Sequence, residues 1–196
     1  MSTSAAEGGF RHRSNRLCLP RTLFIIHLAG GSDVATTNAT ILRLGIIGSG
    51  GIAKAHARAY KEIDGVEIVA VSDVVEGKAG SFIDELELHG ANAFTDHMQA
   101  LAESRLDGVS VCTPNIAHHR VSVDALNAGV HVLTEKPMAV TLGQAVEMEE
   151  TARRTGKILT IGFQPRYDPN MVMLKELIQS GALGRVYYVE TGGGRR

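Results

Sequence analysis

From Ile41 onward, short runs rich in Val, Ile and Leu alternate with longer stretches whose apolar positions recur every three or four residues. The short runs predict strands at 41–48 (ILRLGIIG), 66–73 (VEIVAVSD), 92–95, 108–114 (GVSVCTP), 130–135 and 157–163. The longer stretches predict helices at 51–63, 76–90, 96–105, 116–129 and 141–156, several of them running into a glycine that can stop a helix. Thr141 followed by Gln144 has the spacing of a capping box. Most strands are apolar on both faces, as strands roofed by helices on each side must be. Strict alternation of strand and helix argues for βαβ units, and hence an α/β fold with a doubly wound parallel sheet.

The rhythm changes after Phe163. QPRYDPN (164–170) reads as a loop, 170–181 as a helix and 185–191 (RVYYVET) as a strand with apolar or aromatic residues at Val186, Tyr187, Tyr188 and Val189. A strand with both faces bare invites aggregation. Residues 164–196 therefore read as the opening of a second domain whose remainder is absent. Residues 1–40 lack folded-domain patterning and read as a largely disordered extension. Their apolar stretch RTLFIIHLAGG begins at the last of four arginines (Arg11, Arg13, Arg16 and Arg21), so a signal-like segment for export is the minor alternative to a cytoplasmic protein.

Composition narrows the classes. Hydrophobic residues make up 44% of the 196 and charged residues 21%, as in ordinary globular chains. A formal net charge of −1 supplies no basic field for nucleic acid or anionic lipid, so neither is an expected partner. No stretch reaches the ~18 uninterrupted apolar residues of a membrane span. Two cysteines, Cys18 and Cys112, are too few for a disulfide framework, and Cys112 lies inside an apolar run as a reduced thiol would.

The first strand ends in GIIGSGGIA, which places G-x-G-x-x-A at Gly48, Gly50 and Ala53. Gly48 permits a tight turn, Gly50 lets backbone approach a pyrophosphate, and Ala53 lets the next helix pack close to the strand. With Gly51 and Ile52 this turn opens a helix whose N-terminal N–H groups suit phosphate. A lone glycine hexad is weak evidence. Here Asp73 closes the second strand 20 residues beyond Ala53, the spacing of a carboxylate that accepts adenine-ribose hydroxyls. Such a carboxylate repels a 2′-phosphate, and no Arg or Lys follows before Lys78, which favours NAD over NADP. A helix-capping role for Asp73 and a methyltransferase turn binding S-adenosylmethionine are the competing readings.

Three motifs in order, GIIGSGGIAKAHARAY (45–60), VCTPNIAHH (111–119) and AGVHVLTEKPMAVTLGQA (128–145), resemble the glucose–fructose oxidoreductase/inositol dehydrogenase (Gfo/Idh/MocA) family. The resemblance covers about residue 42 to the end. It implies a Rossmann domain over 41–163 that binds NAD or, less favoured here, NADP, and a sugar or polyol as substrate. Carried over by position, Thr113, Pro114 and Asn115 form the turn beside the cofactor, and His118 matches the histidine of TPNxxH. Glu135 and Lys136 match the EKP pair, with Lys136 the catalytic lysine near nicotinamide and substrate oxygen, and Arg166 matches a recurrent arginine after the first domain. The later Asp/His motif of the family lies outside this sequence. Members often associate through the second domain's sheet, so an oligomer would depend on that missing part.

The residues give EKP a physical reading. A lysine where a strand leaves the core can donate to a substrate hydroxyl or carbonyl oxygen. Glu135 is expected to hold the ammonium in place and Pro137 to stiffen the turn. The bland alternative is a solvated Glu–Lys pair worth at most about 1 kcal/mol. His118 and His119 are neighbours on a helix and point about 100° apart, and His56, His97 and His131 show no metal-type spacing, so no metal site is expected. His56 reads as a packing or surface residue.

Overall fold

The computed structural model describes residues 41–190 and Gly192. The expectations for residues 1–40 fall outside the described residues. Six strands form one parallel sheet: β1 (Leu42–Ile47), β2 (Val66–Ser72), β3 (Asn92–Phe94), β4 (Gly108–Val111), β5 (His131–Thr134) and β6 (Leu159–Ile161). Their spatial order is β3-β2-β1-β4-β5-β6, and every recorded pairing is parallel. The helices between them are α1 (Gly51–Lys61), α2 (Lys78–Glu85), α3 (His97–Glu103), α4 (Asn115–Asn127) and α5 (Leu142–Thr155).

Two clusters show why the strands had to be apolar on both faces. Ile46 joins Val71, Ala53, Ala57, Phe82 and Leu86 on the side of α1 and α2. Its neighbour Ile47 points the other way, into Val109, Val111, Val132, Leu101, Val121 and Leu126 beneath α3 and α4. Successive side chains of a strand alternate between faces, so a doubly covered strand needs both residues apolar. Ala53 and Ala57 are fully buried, one turn apart on α1, which brings that helix close to the sheet.

The capping box at α5 is complete. The Thr141 hydroxyl accepts from the Gln144 N–H, the Gln144 side chain accepts from the Thr141 N–H, and the helix ends on left-handed Gly156. Gly48 is a glycine for steric reasons too. Its φ is +90°, and a Cβ there would lie 2.7 Å from the Cys112 carbonyl carbon and oxygen. The turn after β1 and the end of β4 are therefore pressed together at the point where the strand order reverses, where open α/β sheets carry their ligands.

Beyond β6 two expectations are corrected. The segment after Phe163 begins with a 3-10 turn at Gln164–Tyr167 rather than a loop, leading into α6 (Pro169–Gln179), capped by the Asp168 carboxylate. The strand expected at 185–191 does not form over residues 185–190. A strand is stable only when its N–H and C=O groups pair with a neighbour, and none of the described strands pairs with this one. Tyr187, Tyr188 and Val189 stand exposed. No helix among the described residues is long and apolar enough to cross a membrane.

Candidate functional site

A cleft of about 750 Å³ lies at the carboxyl ends of the strands, within the size range of small-molecule sites. It is lined by the glycine turn (Gly48 to Ile52), by Asp73 to Val75 with Lys78, and by Cys112 to Pro114 with the first turns of α4. Of the residues named from sequence, it gathers Gly48, Gly50, Gly51, Ile52, Asp73, Thr113 and Pro114. Ala53 is buried beneath, and Asn115 starts α4 at the cleft's edge.

The features of the cleft fit a dinucleotide. A Cβ at Gly50 or Gly51 would meet no atom within 4 Å, so the space above the turn is open. No side chain caps the N-terminus of α1, which leaves its first N–H groups and the positive end of its dipole to a phosphate. Thr113 keeps its Oγ1 without a hydrogen-bond partner.

Asp73 does more than sequence reading assigned to it. Its Oδ2 accepts from the Ser49 N–H at 2.9 Å and from the Ser49 hydroxyl at 2.7 Å, and also pairs with Lys78 at 2.9 Å. Its Oδ1 accepts from the Val75 N–H at 3.1 Å. Burial pushes the carboxyl pKa up, yet the Ser49 side-chain and backbone bonds, Lys78 and the Val75 N–H outweigh it and hold the group well below the usual carboxylate range. The residue N-terminal to α2 is Gly77, so Asp73 is not that helix's cap. It ties the glycine turn to the end of β2. Ser49 was the missed partner; its only signal is a hydrogen-bonding side chain between two glycines.

The turn after β5 forms a second group. Lys136 and Pro137, joined by a cis peptide bond, are exposed, whereas Glu135 is buried. His118 is 1% exposed. One ring nitrogen faces the Pro137 carbonyl oxygen at 2.8 Å and the other the Thr113 carbonyl oxygen at 2.9 Å. It thus clamps the turn after β4 to the turn after β5, each ring nitrogen facing a backbone carbonyl.

Glu135 does not hold the Lys136 ammonium. Its Oε1 accepts from the Gln164 amide at 2.9 Å and meets His56 Nε2 at 3.0 Å, while Oε2 accepts from the Lys136 N–H at 3.2 Å. A buried carboxylate needs nearby donors, and these are the ones the fold delivers. His56 is therefore no idle surface residue. Its other nitrogen meets the Ser110 hydroxyl at 3.0 Å, and Ser110 in turn meets Tyr60 at 2.6 Å. Arg166 lies outside the cleft lining, with its guanidinium 5.9 Å above the Phe163 ring. His119 contacts Glu147, apart from His118's partners.

Residues 42–163 match the family described as an oxidoreductase family with an NAD-binding Rossmann fold, GFO_IDH_MocA. The chain belongs to this family. Among curated relatives, D-glucoside 3-dehydrogenase of Escherichia coli K12 is 39% identical over 147 residues, covering 74% of this chain and 41% of its own. Inositol 2-dehydrogenase of Salmonella typhimurium LT2 is 37% identical over 146 residues, covering 74% and 43%. The crystal structure of myo-inositol dehydrogenase from Lactobacillus casei, in complex with NAD(H) and myo-inositol, superposes with a TM-score of 0.69 at 29% identity, again over 74% and 43%. The chain thus spans about two fifths of the length of these relatives, and the family match covers the part that forms the six-stranded sheet.

Proposed function

We propose that this chain carries the NAD-binding part of an oxidoreductase that moves hydride between the nicotinamide and a secondary alcohol carbon of a sugar or polyol. The observation that carries the reading is the glycine turn at the sheet's switch point, fastened by Ser49 to Asp73 at the end of β2. The cofactor supplies the redox chemistry when bound. The chain's own residues bind and orient it: Gly50, Gly51 and the α1 N-terminus would receive the pyrophosphate, and Asp73 the adenine ribose. Thr113, Pro114 and Asn115 would lie along the nicotinamide side, with His118 fixing that turn. Lys136 is the catalytic residue in this reading, donating from its ammonium to the reacting oxygen. Arg166 would act at the junction with a second domain opened by residues 164–190. Substrate and any oligomeric contacts would rest on that domain.

NAD rather than NADP is the proposed cofactor. The Asp73 carboxylate lines the cleft and is held ionised by its partners, so a 2′-phosphate bound beside it would meet its charge. Lys78, the nearest cation, is already paired with it. The reduced, buried thiol of Cys112 is in keeping with a cytoplasmic setting.

The test is calorimetric titration of the 196-residue chain with NAD and separately with NADP, repeated on Asp73→Ala. NAD binding that weakens about tenfold on substitution supports the assignment, whereas a folded protein that binds neither nucleotide would sink it. The second reading is a nucleotide-binding module without catalysis of its own. It is favoured by one observation: Lys136 and Arg166 lie outside the cleft lining. NAD binding without alcohol-dependent reduction would support it.

A further inference from the structure

The polar chain behind Glu135 has no assigned role. Tyr60, Ser110, His56 and Glu135 are linked in that order by contacts of 2.6, 3.0 and 3.0 Å. The Ser–His–Glu spacing resembles a nucleophile triad, but Ser110 is 1% exposed on a central strand and its oxygen is occupied by Tyr60, so no substrate reaches it. The chain acts on Glu135 instead. With Tyr60 donating to Ser110 and Ser110 donating to His56 Nδ1, the ring is fixed with its proton on Nε2, where it donates to Glu135. Gln164 donates to the same oxygen from the far side.

Gly162 completes the arrangement. A Cβ there would fall 2.6 Å from Glu135 Oε1 and 3.0 Å from its Cδ. Only a glycine leaves room for the carboxylate to lie back against β6. Meanwhile Lys136 is next in sequence and exposed, yet its ammonium has no ion-pair partner among the described residues.

We infer that His56, Gln164 and Gly162 are positioning residues that draw the Glu135 carboxylate inward and so keep the Lys136 ammonium unneutralised and available to an incoming oxygen. A carboxylate one residue away would otherwise fold onto the ammonium as a local ion pair. Held back, Glu135 still accepts from the Lys136 N–H and fixes the backbone that presents the side chain. The role rests on the reading of Lys136 given above, but its test needs no cofactor, so its failure and that of the NAD assignment are separate results.

The test is trace acetylation of the full chain with acetic anhydride, with Lys136 read by mass spectrometry against Lys175. An amine reacts only as its free base, and pairing with a carboxylate slows it. His56→Phe and Gln164→Leu remove one donor each, while Gly162→Ala displaces the carboxylate without removing any. Each is expected to slow Lys136 about threefold, the scale of an exposed ion pair, with Lys175 unchanged. His56→Gln, whose amide can replace the Nε2 donor, restores the rate. Unchanged Lys136 labelling in variants that still melt cooperatively would overturn the inference. Should His56→Phe fail to fold, Gln164→Leu and Gly162→Ala decide it alone.

Discussion

Asp73 carries a stability argument beside the ribose-binding role proposed for it. In the folded chain it is ionised against the cost of burial because Ser49, Lys78 and the Val75 N–H surround it. A carboxyl whose folded pKa is depressed stabilises the protein at pH values above the ordinary carboxyl pKa of about 3.9, and that stability is lost as pH falls below it towards the folded value. Asp73→Asn should therefore lower the melting temperature at pH 7, with the gap narrowing only as pH falls below about 4; a gap no smaller at pH 2 than at pH 5 would deny the ion its role. Cys112 gives a second residue-scale prediction. Burial first, and then the nearby Glu135 charge, push its thiol up to about 12. The thiolate is the reactive form, so Cys112 should resist iodoacetamide at pH 8 in the native state and react only on unfolding, a contrast that mass spectrometry reads directly.

At the scale of elements, what was legible in the sequence was whatever one local rule decides. Ile46 and Ile47 had to face opposite clusters, Thr141 and Gln144 had to close a cap, and Gly48 had to turn, because period, capping chemistry and the φ > 0 requirement act within a few residues. Strand ends were read too long by three residues at β4 and two at β6, since a parallel strand stops where its neighbour stops, and Cys112 and Thr113 already turn over Gly48. The role of His56 was illegible for the same reason: Ser110 and Glu135 lie 54 and 79 residues away. The missing strand at 185–190 is a case of local propensity without a partner. The β5–β6 pair carries a further long-range contact. The Ile158 N–H donates to His131 Nδ1 at 2.9 Å, which requires that nitrogen unprotonated. Burial, and then Lys157, lower the His131 pKa, with Asp107 opposing. A histidine held neutral in the fold contributes stability above its unfolded pKa of about 6.5 that is lost as pH falls. The Ile158 amide should therefore lose hydrogen-exchange protection, after correction for intrinsic rate, between pH 7.5 and pH 5.5. Protection that is flat across that range would separate the ring from β6.

Across the whole molecule, the cleft and the exposed apolar residues of α6 lie in different stretches of chain. Every residue lining the cleft falls between Ile47 and Val121, on elements whose packing closes around β1 and β4. The helix α6 buries no residue, although Met171, Met173, Leu174, Leu177 and Ile178 are apolar and exposed on it. Leu174, Leu177 and Ile178 keep 38–40% of their surface exposed, which forgoes part of the roughly 25 cal/mol per Å² that burial yields and offers a sticky patch to other copies. The polar link from this segment to the sheet that matters to the site is Gln164 to Glu135. A chain spanning 1–167 keeps that bond and discards α6. It should melt within about 2 °C of the full chain, because its core is unchanged, and bind NAD with an affinity within twofold. It should also scatter less light at equal concentration. A fall in melting temperature of more than about 5 °C, the scale of 1 kcal/mol in a domain of this size, would mean that α6 contributes packing to the sheet that its exposure does not reveal.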